Sequence, residues 1–83
     1  MMAVFAVERL CHRISHDPAY RDAVRSDPVA AVAGFPPEVR AELLSGDVLA
    51  LYHRGVHPVL LVRLATHRVF GLTPELYGRR ITS

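Results

Sequence analysis

The feature that most limits how this chain can fold is the recurrence of an acid or hydroxyl directly ahead of proline: Asp17-Pro18, Asp27-Pro28 and Thr73-Pro74. Proline disfavours helical geometry in the residue before it, yet suits the first position of the next helix, where its missing N–H is not needed. The Asp or Thr then caps that helix, so each pair closes one element and opens another. Pro37 and Pro58 open helices too, and Gly34, Gly46 and Gly55 mark expected C-terminal stops. No helix can run far through such a sequence, and no period-2 alternation bounded by turn residues suggests a strand.

Between the stops the spacing is helical. From Ala3 to Ser15, Val4, Val7, Leu10, Cys11 and Ile14 recur on one side with Phe5 beside them, and Glu8, Arg9, His12 and Arg13 fall on the other. Pro18 to about Ser26 and Pro28 to about Ala33 read as two short helices. Tyr20, Ala23 and Val24, then Val29 and Val32, are expected inward. Pro37 opens a helix with Val39, Leu43 and Leu44 on its apolar side, and Asp47 caps VLALYHR. Pro58 to about Val69 is the most apolar element: Arg63, Thr66 and His67 occupy one narrow side, so most of its circumference is expected to be buried. Thr73-Pro74 starts a last short helix, PELYGRR. The expected fold is all-α, a small orthogonal cluster of six or seven short helices.

Eighty-three residues make one domain, 1–83, with a thin core and no room for a large enzyme cleft. A domain this small often depends on a disulfide, a metal or a partner. The single Cys11 rules out an internal disulfide and sits within the apolar helical pattern, so it reads as packing, in keeping with a reducing cytoplasm. The opening MMAVFAVERLC lacks the basic start and cleavage site of a secretory signal, and no apolar run approaches the roughly 20 residues needed to span a bilayer. All ten basic residues are arginine and are spread along the chain among eight acids. A nucleic-acid binder would gather them on one element.

HRGVHPVLL, from His53 to Leu61, places two histidines at the spacing of a helical metal-ligand pair. Gly55 lies between them and Pro58 follows the second, so His53 is expected to end one helix and His57 to sit in the connection, not on a shared face. His12 and His16 fall on the polar side of the first helix with no third ligand at motif spacing. No metal site is expected. Ser15, Ser26, Ser45 and Ser83 lie in cap or terminal contexts, no nucleophile elbow or phosphate loop occurs, and Glu38 with Glu42 reads as a solvated face. No catalytic residue is expected in this chain.

The order of the punctuation carries a resemblance. DPAY (Asp17 to Tyr20), the second Asp27-Pro28, the Gly34-Phe35-Pro36 turn, LLSGD (Leu43 to Asp47), GVHPVLL (Gly55 to Leu61) and FGLTPELY (Phe70 to Tyr77) together resemble the LigA-type small subunit of protocatechuate 4,5-dioxygenase and its free-standing relatives. The likeness covers nearly the whole chain, and the stretch holding Gly55, His57, Pro58, Leu60 and Leu61 is its most specific part. It implies a helical subunit without iron of its own that packs over a larger LigB-type subunit, whose non-haem Fe(II) cleaves a catechol ring. LigA-like domains also resemble the recognition portion of split-borosin peptide precursors, which docks on a backbone N-methyltransferase. The short tail from Arg79 to Ser83, poor in aliphatics, argues against a full core peptide here.

The resemblance therefore implies an accessory subunit, not an enzyme, with Tyr52, His57, Val59, Leu60 and Leu61 as the contact residues for a larger catalytic partner in the cytoplasm. Peptide-precursor recognition is the alternative. Self-association through the same apolar surface is a third possibility, and neither nucleic acid nor membrane is an expected partner.

Overall fold

A computed structural model describes the backbone of residues 2–82 and the side chains of residues 4–82. Among these residues seven helices follow one another: α1 (Met2–His16), α2 (Pro18–Ser26), α3 (Pro28–Ala31), α4 (Pro37–Ser45), α5 (Val48–Arg54), α6 (Pro58–Thr66) and α7 (Pro74–Ile81). Among the described residues there is no strand, and the all-α cluster expected from the punctuation is what forms.

The caps work as their residue types dictate. Asp17, Asp27, Asp47 and Thr73 each accept a hydrogen bond from the backbone N–H three residues on, at 3.0–3.2 Å. Each satisfies one of the donors a helix start leaves over. Asp27 serves two helices, because its own N–H also donates to Ala23 O at the end of α2. Gly46 and Gly55 take the left-handed conformation that ends α4 and α5.

Arginines finish the other helix ends. From α2, Arg21 donates to Ile14 O (2.9 Å) and Ser15 O (3.1 Å) at the end of α1, and Arg25, one turn on, donates to His67 O at the end of α6. Arg80 of α7 donates to Ser45 O and Gly46 O at the end of α4. These ends present carbonyls and the negative pole of the helix dipole, so a guanidinium fork both satisfies acceptors and offsets charge. Glu8 of α1 meets the start of α6, and α2 reaches the last carbonyls of both helices, so α1 and α6 run side by side in the same direction. Their two negative ends would repel without Arg21 and Arg25 between them.

The core is wholly apolar, drawn from every part of the chain: Val7, Cys11 and Ile14 of α1, Leu43, Leu51, Leu61 and Leu64 from the middle, and Val69 and Leu72 from the connection after α6. Among the described residues no buried side-chain nitrogen or oxygen lacks a partner.

Several sequence expectations are corrected. Phe5 is not tucked beside the buried stripe but is 62% exposed, and Val29 and Ala23 also face outward. α3 is a single turn ending at Ala31, and the chain does not adopt a left-handed stop at Gly34. α6 ends at Thr66 rather than Val69, because Arg68 and Phe70 both take φ of +55° and Gly71 follows at +74°. This tight winding drives Val69, Phe70 and Leu72 into the core, and their burial offsets the roughly 1 kcal/mol or more that each left-handed non-glycine residue costs.

Gly46 is the glycine whose replacement is most constrained. It holds φ of +66°, and a Cβ there would meet Leu72 at 3.0 Å and Arg80 Nη1 at 2.8 Å. Gly46→Ala should lower stability by about 2 kcal/mol, from backbone strain plus the displaced Arg80 fork. Gly71→Ala, at φ of +74° with open space around it, should lose less, since only the backbone objects. Urea denaturation of the two variants checks the order.

Candidate docking surface

The site is best built outward from the joint between α5 and α6. Gly55, at φ of +110°, turns the chain out of α5, and Val56 is buried as an anchor. His57 is extended, as the following proline requires, and caps α6: its Nδ1 accepts from Val59 N–H at 3.2 Å. Its own N–H donates to Glu8 Oε2 at 3.1 Å, tying the joint to α1 across 49 positions of sequence. Pro58 then occupies the first turn of α6, where no N–H is missed.

From this joint α6 presents two faces. Leu60, Leu61, Leu64 and Ala65 turn into the core. Val59 (51% exposed), Val62 (42% exposed), Arg63 and Thr66 turn outward. The expected burial of most of the helix circumference is therefore corrected to one face. The reason is the set of neighbours: α1, α7 and α5 pack against α6 and leave its remaining side to solvent.

Between α1 and α6 lies a shallow groove lined by Glu8, His12, His57, Val59, Leu60 and Arg63. Phe5 stands one turn before Glu8 along the same side of α1, with the Arg9 guanidinium 5.8 Å from its ring centre. The groove is itself largely polar, and of the exposed apolar side chains only Val59 lines it, Phe5 and Val62 standing outside.

The structure brings His57, Val59 and Leu60 together here, but it does not gather every expected contact residue. Leu61 is fully buried, and Leu60 is 7% exposed, so both are core side chains that support the face from beneath. Tyr52 is half exposed on α5 with its ring against His53, and it does not line the groove. The sequence reading missed Val62, Arg63, Phe5 and His12 as members of this face. For Phe5 and His12 the signal lay in the stripe Phe5, Arg9, His12 of α1, which is off the core-facing series Val7, Cys11, Ile14.

The histidines are placed as capping and surface groups. His53 lies in the last turn of α5 and His57 in the connection, with His12 and His16 stacked at 6.0 Å on the solvent side of α1. Among the described residues no three His, Cys, Asp or Glu side chains are arranged to hold a metal ion. His67, next to Arg25, has its pKa lowered, first by desolvation and then by the charges of Arg21, Arg25 and Arg63. Of the serines, Ser15 donates to Cys11 O and Ser45 to Glu42 O, so both hydroxyls serve local backbone, and Ser83 lies outside the described residues.

Cys11 is buried, and burial, with a smaller contribution from Glu8, pushes its thiol up to about 12. A thiol held neutral and covered is a poor nucleophile. Iodoacetamide at pH 8 should therefore leave the native chain unlabelled and modify it fully in denaturing urea. Rapid native labelling, read by mass spectrometry, would contradict the packing given for α1.

No family model matches this chain, and neither the curated proteins nor the solved structures provide a match. Among the described residues no helix is long and apolar enough to cross a membrane.

Proposed function

We propose that this chain is a non-catalytic accessory subunit that docks on a larger enzyme, a LigB-type ring-cleaving dioxygenase that carries Fe(II) on its own residues. The observation that carries the docking reading is the outward face of α6: Val59 and Val62 remain half exposed although the same helix buries four apolar neighbours. Contiguous apolar surface on a small domain marks an interaction site more often than scattered single residues do. Val59 also lines the groove between α1 and α6, and Phe5 is a further exposed apolar side chain on α1. An ordinary specific interface of about 800 Å² per partner would take roughly a sixth of the chain's 4834 Å² of surface.

The dioxygenase part of the reading is supported by the motif order and by where its most specific stretch falls. Gly55, His57 and Pro58 build the corner that sets the direction of α6, so the residues of the resemblance position the exposed face. Asp17, Pro18, Asp27 and Pro28 have a different task, fixing α2 and α3 behind α1. The complex would work in the cytoplasm, where a single buried thiol is at no disadvantage.

The test is to add the purified chain to the product of the adjacent gene, which on this reading is a ring-cleaving large subunit. A stoichiometric complex and faster ring opening support the reading. No complex and an unchanged rate remove it. If the neighbouring enzyme is instead an N-methyltransferase that binds the chain and adds methyl-sized mass near its C-terminus, peptide-precursor recognition takes its place.

A further inference from the structure

The start of α6 is built from a different kind of acceptor than the other capped helices. Asp17, Asp27, Asp47 and Thr73 cap with an oxygen, which keeps a lone pair in every protonation state. His57 caps with a ring nitrogen, Nδ1, which accepts from Val59 N–H at 3.2 Å. Pro58 has no N–H, and those of Leu60 and Leu61 go to His57 O at 3.0 and 3.4 Å. Val59 N–H is therefore the one donor of this turn that relies on the imidazole. Nδ1 accepts only while it carries no proton, so the capping ring is neutral with its hydrogen on Nε2. A second proton makes Nδ1 a donor, sets two N–H groups against each other, and puts a cation at the positive end of the helix dipole.

We infer that His57 is a proton-sensitive latch on α6: neutral, it caps the helix, and protonated, its ring leaves Val59 N–H and turns toward Glu8. The carboxylate is already at the joint, because Glu8 Oε2 accepts the backbone N–H of His57 at 3.1 Å and lines the same groove. The other charged or titratable groups in that groove are His12 of α1 and Arg63 of α6. Both oppose a further positive charge, which leaves Glu8 as the favourable place for it. At the end of α5, Arg54 is held by Glu42 at 2.6 Å and the His53 ring lies against Tyr52. Among the described residues no charged side chain of α7 lines the groove. His57 is exposed, so protons reach it directly from water. The latch belongs to the chain alone and does not rest on the docking reading. Its consequence there is that Val59, half exposed on the outward face, sits on a turn whose cap changes within histidine's usual range of about pH 5–8.

The test is NMR on the ¹⁵N-labelled full chain with no partner present. At the alkaline end of that range the two ring-nitrogen shifts of His57 should report the Nε2–H tautomer. At the acid end the exchange rate of Val59 N–H, taken against its intrinsic rate at each pH, should be about tenfold faster, the loss expected for one cap, while that of buried Leu64 stays as it was. His57→Asn supplies a capping oxygen that does not titrate, so the pH dependence at Val59 should vanish. Glu8→Gln keeps an acceptor for the backbone N–H but removes the charge, so the change at Val59 should move to lower pH. An Nδ1–H tautomer at the alkaline end, Val59 exchange that does not respond to pH, an H57N chain that still responds, or an E8Q chain that responds at the original pH would overturn the inference.

Discussion

Replacing Val59 and Val62 together with aspartate should abolish the proposed complex with a larger partner subunit while leaving the fold almost as stable as before. Both side chains are about half exposed, so little of the burial that holds the domain together is lost. Val59 lies in the first turn of α6, where a carboxylate is favoured by the helix dipole. Val62 lies further along, where aspartate is a somewhat poorer helix former than the residue it replaces. The net change in stability should stay within about 1 kcal/mol, a shift in melting temperature of no more than about 8 °C. In the complex the same two aspartates would be desolvated against the partner's apolar surface, so binding should fall by about a hundredfold or more. Calorimetric melting and titration of the double variant measure both numbers. A large loss of stability would place Val59 and Val62 in the core, and unchanged binding would place the partner elsewhere.

Leu61→Ala should do the reverse. Leu61 is fully buried on the inner face of α6, and truncating such a leucine typically costs about 2–5 kcal/mol. An 83-residue chain has a total stability of about 4–12 kcal/mol at the usual value per residue, so this single change removes a large fraction of it. Melting should fall by about 15 °C or more. At a temperature where the variant remains folded, binding should stay within a few fold of the parent, because the outer face is intact. The two neighbours on one helix thus separate stability from docking, which a change at Leu60 could not do.

How far the fold could be read from the sequence depends on the range of the interactions. Helix starts were legible because a cap is local: Asp17, Asp27, Asp47 and Thr73 bond to N–H groups three residues away, and after all but Asp47 a proline fixes the first turn. The stops at Gly46 and Gly55 were legible for the same reason. The end of α6 was not, since Arg68 and Phe70 are not residue types that announce a left-handed conformation. Tertiary burial in the loop imposes it on them. Nor could the arginine forks be foreseen: Arg25 reaches His67 across 42 positions, and Arg80 reaches Ser45 across 35.

The docking face was half legible. The His57–Pro58 joint and the apolar surplus that follows it were visible, but Val59, Leu60, Leu61 and Val62 are all aliphatic, and periodicity cannot say which pair of them a neighbour covers. The answer depends on where α1 lies, and that is set by Glu8 and by the two arginines of α2. Tyr52 illustrates the same difficulty from the other side, since its proximity in sequence to His57 does not bring it into the groove.

The most direct measurement of the central claim is solvent access at individual methyl groups, read by NMR with a soluble paramagnetic agent, on the chain alone and then with the proposed partner subunit. In the free chain the methyls of Val59 and Val62 should relax rapidly while those of Leu61 and Leu64 do not, and in the complex Val59 and Val62 should become protected. Val59 and Val62 methyls already shielded in the free monomer, or still accessible once a complex has formed, would contradict it.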